Sequence, residues 1–168
     1  MTEGRRRTGA QMRRDWLLEG LVSMVQGVER QGVELAVPAT LNVGGYLVSG
    51  YVISGKEYFE EFAELIARGL PDTFDEEGKQ SITKSFNNLR SIYETTEDSV
   101  EDVIAQGGYN FVHLRDAMFL HPSGDRIPTE SGMLWRTKLE AVDGFTLGIL
   151  RPELRDEDEL EDEPEPDE

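Results

Sequence analysis

The side chains best suited to proton transfer or metal binding are two histidines, since the chain contains no cysteine. The missing thiols exclude disulfides, thiolate metal sites and thiol nucleophiles. His113 and His121 lie in one predicted strand, where the standard rise separates them by about 26 Å, too far to share a metal ion. Neither His113 with Asp116 nor His121 with Asp125 has the spacing of a zinc site. We therefore predict two structural histidines, no metal and no cofactor.

Other catalytic patterns are also missing from the sequence. Gly44-Gly45 and Gly107-Gly108 do not continue into a phosphate-binding loop with its lysine and hydroxyl residues. No serine stands in a G-x-S-x-G turn. Carboxylates are abundant, but without a pocket they do not indicate acid–base chemistry. The sequence predicts no enzyme and no catalytic residues, and a small enzyme with an unrecognised site is the weakest alternative.

Aromatic residues could stack nucleic-acid bases on a sheet, as they do in RNA-binding modules. Few arginines or lysines are interleaved with them, so we interpret them as core residues. These aromatic residues are Tyr46, Tyr51, Tyr58, Phe59, Phe111, Phe119, Trp135 and Phe145. Arg136 and Lys138, on one face of a predicted strand, form either a small basic patch or a solvated face. We expect no nucleic-acid partner.

The charge of the 168-residue chain is concentrated at its end. The net charge is −17, and residues 156–168 hold ten carboxylates and no base, which leaves −7 on the remainder. This composition predicts a disordered acidic tail over 153–168, and the acidity also fits a high-salt cytoplasm. Residues 1–10 are predicted to be a disordered basic N-terminus, and 11–152 a single domain. No apolar stretch is long enough for a signal peptide or membrane span, so we expect a soluble, cytoplasmic protein.

The first predicted element is an amphipathic helix that starts near Met12. Its apolar residues recur at the spacing of one helix face, which we expect to be buried. These residues are Leu17, Leu21, Met24, Val25 and Val28. Gly32 follows the last turn, where a residue with positive φ is typical.

Two strands follow, over residues 35–43 and 46–54, around a hairpin turn at Gly44-Gly45. Pro38 cannot donate to a ladder, so the first strand is predicted to be an edge strand or to begin one residue later. Gly50 lies inside the second strand and indicates a bulge or a bend.

A second helix is predicted after these strands. Ser54-Gly55-Lys56-Glu57 has the pattern of a capping box, in which Ser54 accepts from the Glu57 amide and Glu57 reaches back. The helix ends at Gly69-Leu70-Pro71. Its apolar face consists of Tyr58, Phe59, Phe62, Leu65 and Ile66. Residues 70–107 are predicted to be a helical insertion, with a break possible over 95–98.

The last third returns to strands, over residues 109–121, 133–142 and 145–150. A loop over 122–132 precedes the last two strands, which Asp143-Gly144 is predicted to join as a hairpin. We expect one face of the first of these strands to carry Val112, Leu114, Met118 and Leu120.

The predicted class is α+β, with an N-terminal helix, about five antiparallel strands and the helical insertion between strands 2 and 3. A helix leading into five antiparallel strands, with a glycine bend in the second, is also the outline of an Sm-like small barrel. An Sm-like nucleic-acid-binding module is therefore the alternative function, although the acidic bulk of the chain argues against it.

Three stretches together resemble the GvpU family of gas vesicle accessory proteins, from about residue 15 to 152. They are Leu41-Asn42-Val43 with the strand that ends in Ser54-Gly55-Lys56-Glu57-Tyr58-Phe59; Phe111-Val112-His113-Leu114-Arg115-Asp116-Ala117; and the run from Trp135 to Phe145, continued through Leu147 and Gly148. The motif residues are Asn42, Ser54, Lys56, Glu57, Tyr58, Phe59, His113, Leu114, Trp135, Arg136, Val142, Asp143, Gly144, Phe145 and Gly148.

This resemblance implies a non-catalytic role in the formation or clustering of gas vesicles, which are hollow, air-filled protein shells. The expected partners are the vesicle shell, other accessory proteins or further copies of this chain, without nucleic acid or membrane. Docking would use a sheet edge or the amphipathic helix.

Overall fold

The computed structural model describes residues 14–71, 73–90, 93, 109–121, 125–128 and 130–150. Within these residues, helices and one antiparallel sheet confirm the α+β class and the helix between the second and third strands. The predicted disordered ends and the break over 95–98 lie outside the described residues. The elements are α1 (Trp16–Glu29), β1 (Val37–Val43), β2 (Tyr46–Ile53), α2 (Gly55–Gly69), α3 (Glu76–Asn87), β3 (Phe111–Leu120), β4 (Arg126–Ile127), β5 (Met133–Lys138) and β6 (Gly144–Leu147), with 3₁₀ turns at Asn88–Arg90 and Leu139–Ala141.

The strands form one sheet in the order β4–β3–β2–β1–β6, and β5 pairs with β3 beside β4. α1 packs against one face of this sheet, where the main core lies. α2 packs against β3 and β5 with a second, smaller cluster around Ile53, Tyr58 and Phe59. None of the described helices has the length and apolar content needed to cross a membrane.

The predicted hairpin at Asp143-Gly144 is wrong. β5 and β6 lie at opposite edges of the sheet, because β5 pairs with β3 and β6 pairs with β1. The 3₁₀ turn between them buries Leu139, and Val142 follows it into the core. The Asp143 N–H then donates to the Asn42 carbonyl at 2.8 Å, which brings the chain to β1. Burial of the link, a long-range effect, overrides the local turn signal.

This short link requires a strongly curled sheet. It has only the residues 139–143, and with a 3₁₀ turn among them it spans roughly 16 Å. In a flat sheet β5 and β6 would be four strand spacings apart, about 19 Å, before any offset along the strands. The curl fits the outline of an Sm-like barrel. Since the described β5 and β6 do not pair with each other, the sheet stays open.

The β1–β2 hairpin is confirmed, with positive φ of 59° at Gly44 and 86° at Gly45. The prediction that β1 is an edge strand, or begins after Pro38, is wrong, because β1 contains Pro38 and pairs with β2 and β6. The Pro38 carbonyl accepts from the Gly148 N–H at 2.8 Å. In an antiparallel strand the backbone nitrogen and carbonyl of one residue point to the same side, so the nitrogen of Pro38 also points toward β6. It lies beyond the last paired residue of β6, so its missing N–H removes no hydrogen bond from the β1–β6 pairing.

The helix α1 is confirmed, and its predicted buried face is right for Val25 and Leu21, which pack in the main core, but wrong for Leu17 and Met24. Leu17 and Met24 are exposed, at 53% and 45%, together with Trp16 at 71%. The buried residues of α1 are Leu18, Val22, Ser23, Val25, Gln26 and Glu29. Gly32 has the expected positive φ of 79°, two residues beyond the C-cap Arg30. The helix is apolar around most of its circumference, so its hydrophobic spacing did not determine which side faces the core.

A β-bulge in β3 lies between two glycines. The pairing with β2 shifts register opposite Gly50, as the sequence indicated, and the pairing with β5 shifts at the same place. The extra residue belongs to β3, where Asp116 has a φ of 51°. A Cβ on Gly50 would lie 2.9 Å from the Arg115 carbonyl oxygen, and one on Gly132 would lie 2.2 Å from the Asp116 carbonyl carbon. Close backbone approach therefore requires glycine at both positions.

The bulge changes which side chains of β3 share a face. Ala117 is fully buried in the main core with Val112 and Leu114, whereas Met118 and Leu120 are only half-buried. The predicted common face of Met118 and Leu120 with Val112 and Leu114 is therefore wrong, because one extra residue reverses the alternation that follows it.

We expect Gly132→Ala to destabilise the fold by about 2–3 kcal/mol, because the added methyl group meets the backbone of Asp116 rather than a movable side chain. Gly69→Ala is the matched control, since nothing lies within 4 Å of a Cβ there. Urea denaturation measures both free energies of unfolding. Equal stability of the Gly132→Ala variant and wild type would show that the bulge does not constrain this position.

Candidate functional site at the first turn of α2

Seven motif residues from distant parts of the sequence meet around the first turn of α2. We call this region the junction; its motif residues are Ser54, Lys56, Glu57, Tyr58, Phe59, His113 and Arg136. Ser54 is the N-cap of α2, and α2 supplies the next four. β3 supplies His113 and β5 supplies Arg136. His113 reaches α2 because successive residues of β3 point to opposite faces, and its neighbours Val112 and Leu114 point into the main core.

One half of the predicted capping box is present, since the Ser54 hydroxyl accepts from the Glu57 N–H at 3.0 Å. The Glu57 carboxylate bonds instead to the guanidinium of Arg115, which also lies 3.4 Å from Glu61. Burial raises the pKa of Glu57, and the nearby Arg115 offsets part of that rise. Burial acts to lower the pKa of Arg115, but Glu57 and Glu61 outweigh it and hold that pKa above its ordinary value. This ion pair joins α2 to β3.

Two buried polar residues of α1 bind the same turn. The Gln26 side-chain oxygen accepts from the Gly55 N–H at 3.1 Å, and Glu29 pairs with the Lys56 ammonium at 3.0 Å. The Gly55 N–H is one of the donors that a helix start leaves without a partner inside the helix. These two bonds connect α1 to the start of α2.

A cleft of about 310 Å³ adjoins these contacts and is lined in part by Gln26, Glu29 and Tyr93. Among the described residues, Gln26 Nε2 and Glu29 Oε2 have no hydrogen-bond partner. Both atoms are buried beside the cleft. Gly55 lets the Tyr93 ring pack onto the start of α2, because a Cβ there would lie 2.5 Å from that ring.

His113 is fully buried among aromatic rings. The ring centroids of Tyr58, Tyr93 and Phe59 lie 4.7, 5.5 and 6.2 Å from that of His113. Neither ring nitrogen has a hydrogen-bond partner among the described residues. Burial, and then the charge of Arg136, lower the pKa of His113 to about 3. His113 is thus a neutral packing residue at physiological pH, and the strand position expected from the sequence is confirmed.

The guanidinium of Arg136 lies against aromatic rings. Its carbon is 3.5 Å from the ring centroid of Phe111 and 5.9 Å from that of Phe59, within the range of cation–π attraction. Burial raises the pKa values of Tyr58 and Tyr93, and Arg136 partly offsets both rises. Its charge is therefore used within the fold.

The other half of the predicted basic patch is also paired, since the Lys138 ammonium lies 3.4 Å from Glu140 in an exposed ion pair. The aromatic residues are mostly buried or half-buried, as interpreted from the sequence, and Tyr46 is the exception at 64% exposure.

The remaining motif residues join β6 to the β1–β2 hairpin. The Gly44 N–H donates to the Asp143 carboxylate at 2.8 Å, and the Gly45 N–H donates to the Asn42 side chain at 3.1 Å. The Gly148 carbonyl accepts from the Thr40 hydroxyl at 2.9 Å. The other residues of this set pair with β1 or pack in the core; they are Gly144, Phe145, Leu114, Trp135 and Val142. These contacts are structural.

Sequence reasoning missed Gln26, Glu29, Arg115 and Tyr93 as parts of the junction. A signal existed for the first two: Ser23, Gln26 and Glu29 recur every third residue along an apolar helix. Such a polar stripe indicates a face that binds polar partners. Arg115 and Tyr93 have no comparable signal, because the fold alone brings them to α2. No group of three metal-ligating side chains occurs in the part of the chain that the structure describes.

We expect His113 to make stability depend on pH. Its pKa falls from 6.5 to about 3 on folding, so the unfolded chain takes up the proton first. The stability that neutral His113 contributes is complete above about pH 6.5 and decreases as the pH falls toward 3, by about 2 kcal/mol between pH 7 and pH 5. Urea denaturation should show that loss in wild type and a smaller one in His113→Phe.

His121→Gln is the matched control, since His121 is exposed and lies beyond the end of β3. It should keep the wild-type pH dependence. If His113→Phe lost as much stability on acidification as wild type, His113 would not be the buried neutral group described above.

Comparison with protein families finds a match over most of the chain. A family model described as gas vesicle protein GvpU-like matches residues 15–150, a span close to that of the resemblance seen in the sequence. No curated protein and no solved structure matches the chain. The matched span contains the junction and the β6 contacts. The chain therefore belongs to the GvpU-like family of gas vesicle proteins.

Proposed function

We propose that this protein is a non-catalytic accessory protein that assists gas vesicle formation or modulates vesicle clustering in the cytoplasm. It would act through self-association and binding to vesicle proteins. Family membership supports the association with gas vesicles. The exposed side of α1 supports the mode of action, and it is the observation on which the proposal depends.

The outer face of α1 consists of Trp16, Leu17, Gly20 and Met24. The side chains of Trp16, Leu17 and Met24 are exposed at 71%, 53% and 45%, whereas every other residue of α1 is buried or half-buried. The buried residues of α1 include the polar residues Ser23, Gln26 and Glu29. Because the outer face carries large apolar side chains that contact nothing else in the described structure to the extent of being buried, it is available for another protein.

The edge of β6 supplies a second surface. In the described part of the chain β6 pairs only with β1, so its other edge has free N–H and C=O groups. β6 contains neither proline nor a charged residue, which usually protect an edge strand from pairing with another chain. Its residues are Gly144, Phe145, Thr146 and Leu147. The edge of β5, in contrast, carries exposed Arg136 and Lys138. An extended segment of a vesicle protein could add to β6 as a further strand.

Two separate surfaces on one small domain are what a bridging protein needs. One surface holds a vesicle component and the other holds a further copy of the protein, so that many weak contacts act together through effective concentration. The acidic tail and the arginine-rich N-terminus would set the balance of repulsion and attraction between coated vesicles.

The nucleic-acid alternative receives less support from the structure. Tyr58 and Phe59 are buried, so they are not available to stack bases. Arg136 lies on Phe111 and Lys138 pairs with Glu140. The accessory function therefore explains the exposed surfaces better than nucleic-acid binding does.

The double variant Trp16→Lys with Leu17→Lys tests the outer face of α1. Purified protein is added to gas vesicles from cells that lack it, and clustering is measured by light scattering and microscopy. We expect the variant to cluster vesicles at least about tenfold less well, because burial of each side chain contributes roughly 1.5–3 kcal/mol. Leu65→Lys, at another exposed leucine on α2, is the control. Unchanged clustering by the double variant would remove the outer face from the proposal.

Deletion of residues 153–168 tests whether the charge of the acidic tail controls repulsion between coated vesicles. Salt screens repulsion between exposed charges, so clustering by the full chain should rise as ionic strength increases from about 0.05 to 0.3 M. The deletion should flatten that dependence. A chain of equal length with the acidic residues of 156–168 changed to Asn and Gln separates charge from length. The same salt dependence in all three proteins would exclude the tail from the mechanism.

A further inference from the structure

We propose that the outer face of α1 binds the same face of a second copy, with the two helices antiparallel and crossing at Gly20. This inference rests on the proposed function and names the partner for one of its two surfaces. The β6 edge would remain for the vesicle component.

Gly20 is the first reason. Glycine weakens the interior of a helix relative to alanine, so a glycine there calls for a compensating role. A Cβ on Gly20 would have no atom within 4 Å, so no contact in the described structure depends on its small size. The missing side chain instead leaves a shallow notch, with Trp16 and Met24 on either side of it. Such a notch allows the backbone of another helix to approach closely.

The spacing of the face is the second reason. Trp16 and Met24 are each four residues from Gly20, on opposite sides of it. In an antiparallel pair with the two-fold axis at Gly20, Trp16 of each copy faces Met24 of the other, and Gly20 faces Gly20. A symmetric interface needs a surface that is complementary to itself in this way. Thioether–aromatic contacts and antiparallel helix dipoles both favour this arrangement.

The exposed area agrees with a weak, reversible dimer. Trp16, Leu17 and Met24 together expose on the order of 400 Å² per copy, about half of what each partner buries in a standard stable interface. Each copy also has a net charge of −17, so two copies repel at long range. Salt should therefore strengthen this apolar dimer, whereas it weakens contacts between opposite charges.

The absence of cysteine from the natural sequence allows a direct test. Gly20→Cys places a thiol on the proposed two-fold axis, where the close approach of the two backbones permits a disulfide. Under mild oxidation we expect the full-length variant to form covalent dimers about tenfold or more faster than Gly69→Cys. The control Gly69 is likewise a helical glycine with nothing within 4 Å of its Cβ. Equal rates for the two variants would overturn the proposed dimer.

A second measurement does not depend on disulfide chemistry. In a Trp135→Phe background, Trp16 is the remaining tryptophan. Its fluorescence should shift to the blue as protein concentration rises, and more so at high salt. Gly20→Leu should weaken self-association about tenfold or more, as measured by sedimentation equilibrium, while Gly69→Leu should not. An emission that is blue-shifted at every dilution would assign the face to another segment of the same chain and overturn the dimer.

Vesicle binding is measured separately, by co-flotation with gas vesicles. Cross-linking of Gly20→Cys without flotation of wild type would support the dimer and contradict the proposed function. Flotation without cross-linking or concentration-dependent fluorescence would support the proposed function and overturn the dimer. A blue shift that occurs only when vesicles are added would assign the outer face to a vesicle component and would also overturn it.

Discussion

The contact between α1 and the first turn of α2 fixes the orientation of the surfaces of this domain. Gln26 binds the Gly55 N–H and Glu29 binds Lys56, and both α1 side chains are buried. A buried polar group without a partner costs about 1–3 kcal/mol, so rotations of α1 that break these bonds are unfavourable. Because α1 is apolar on several sides, hydrophobic burial alone would not select one rotation. Polar bonds inside the protein, together with the burial of Leu18, Val22 and Val25, therefore favour the rotation in which an apolar face points outward.

The same turn of α2 also holds the sheet. Glu57 binds Arg115 of β3, and the rings of Tyr58 and Phe59 pack on His113. Residues 113 and 115 can both reach α2 because β3 alternates regularly up to the bulge at Asp116. Beyond the bulge the alternation reverses, and the curl of the sheet brings β5 and β6 within the reach of a five-residue link. Loosening of this turn would thus affect both α1 and the curled sheet.

The sequence predicted features that depend on neighbouring residues better than features that depend on residues far apart in the chain. The Gly44-Gly45 turn and the Ser54 cap depend on neighbouring residues, and both are present. Asp143-Gly144 was misread as a hairpin because burial of Leu139 draws the chain across the sheet. The faces of α1 and β3 were assigned correctly only in part, also for non-local reasons: α1 forms polar bonds to α2, and a bulge reverses the alternation of β3. The resemblance to the GvpU family is confirmed by the family match. It depends on many positions together and does not require each side chain to be assigned to a face of a helix or strand.

The contacts of the motif residues account for the fold of the domain rather than for how the protein acts. His113 is neutral and enclosed, Arg136 is held on aromatic rings, and Asn42 and Asp143 bond to backbone within the fold. Such residues preserve a shape, and that shape turns the outer face of α1 and the edge of β6 toward solvent. Each copy carries a net charge of −17, so two copies repel each other at a distance. In the proposed mode of action, copies would therefore associate only where apolar surfaces come into close contact. Such association would be short-ranged and reversible, which agrees with the proposed role in vesicle clustering.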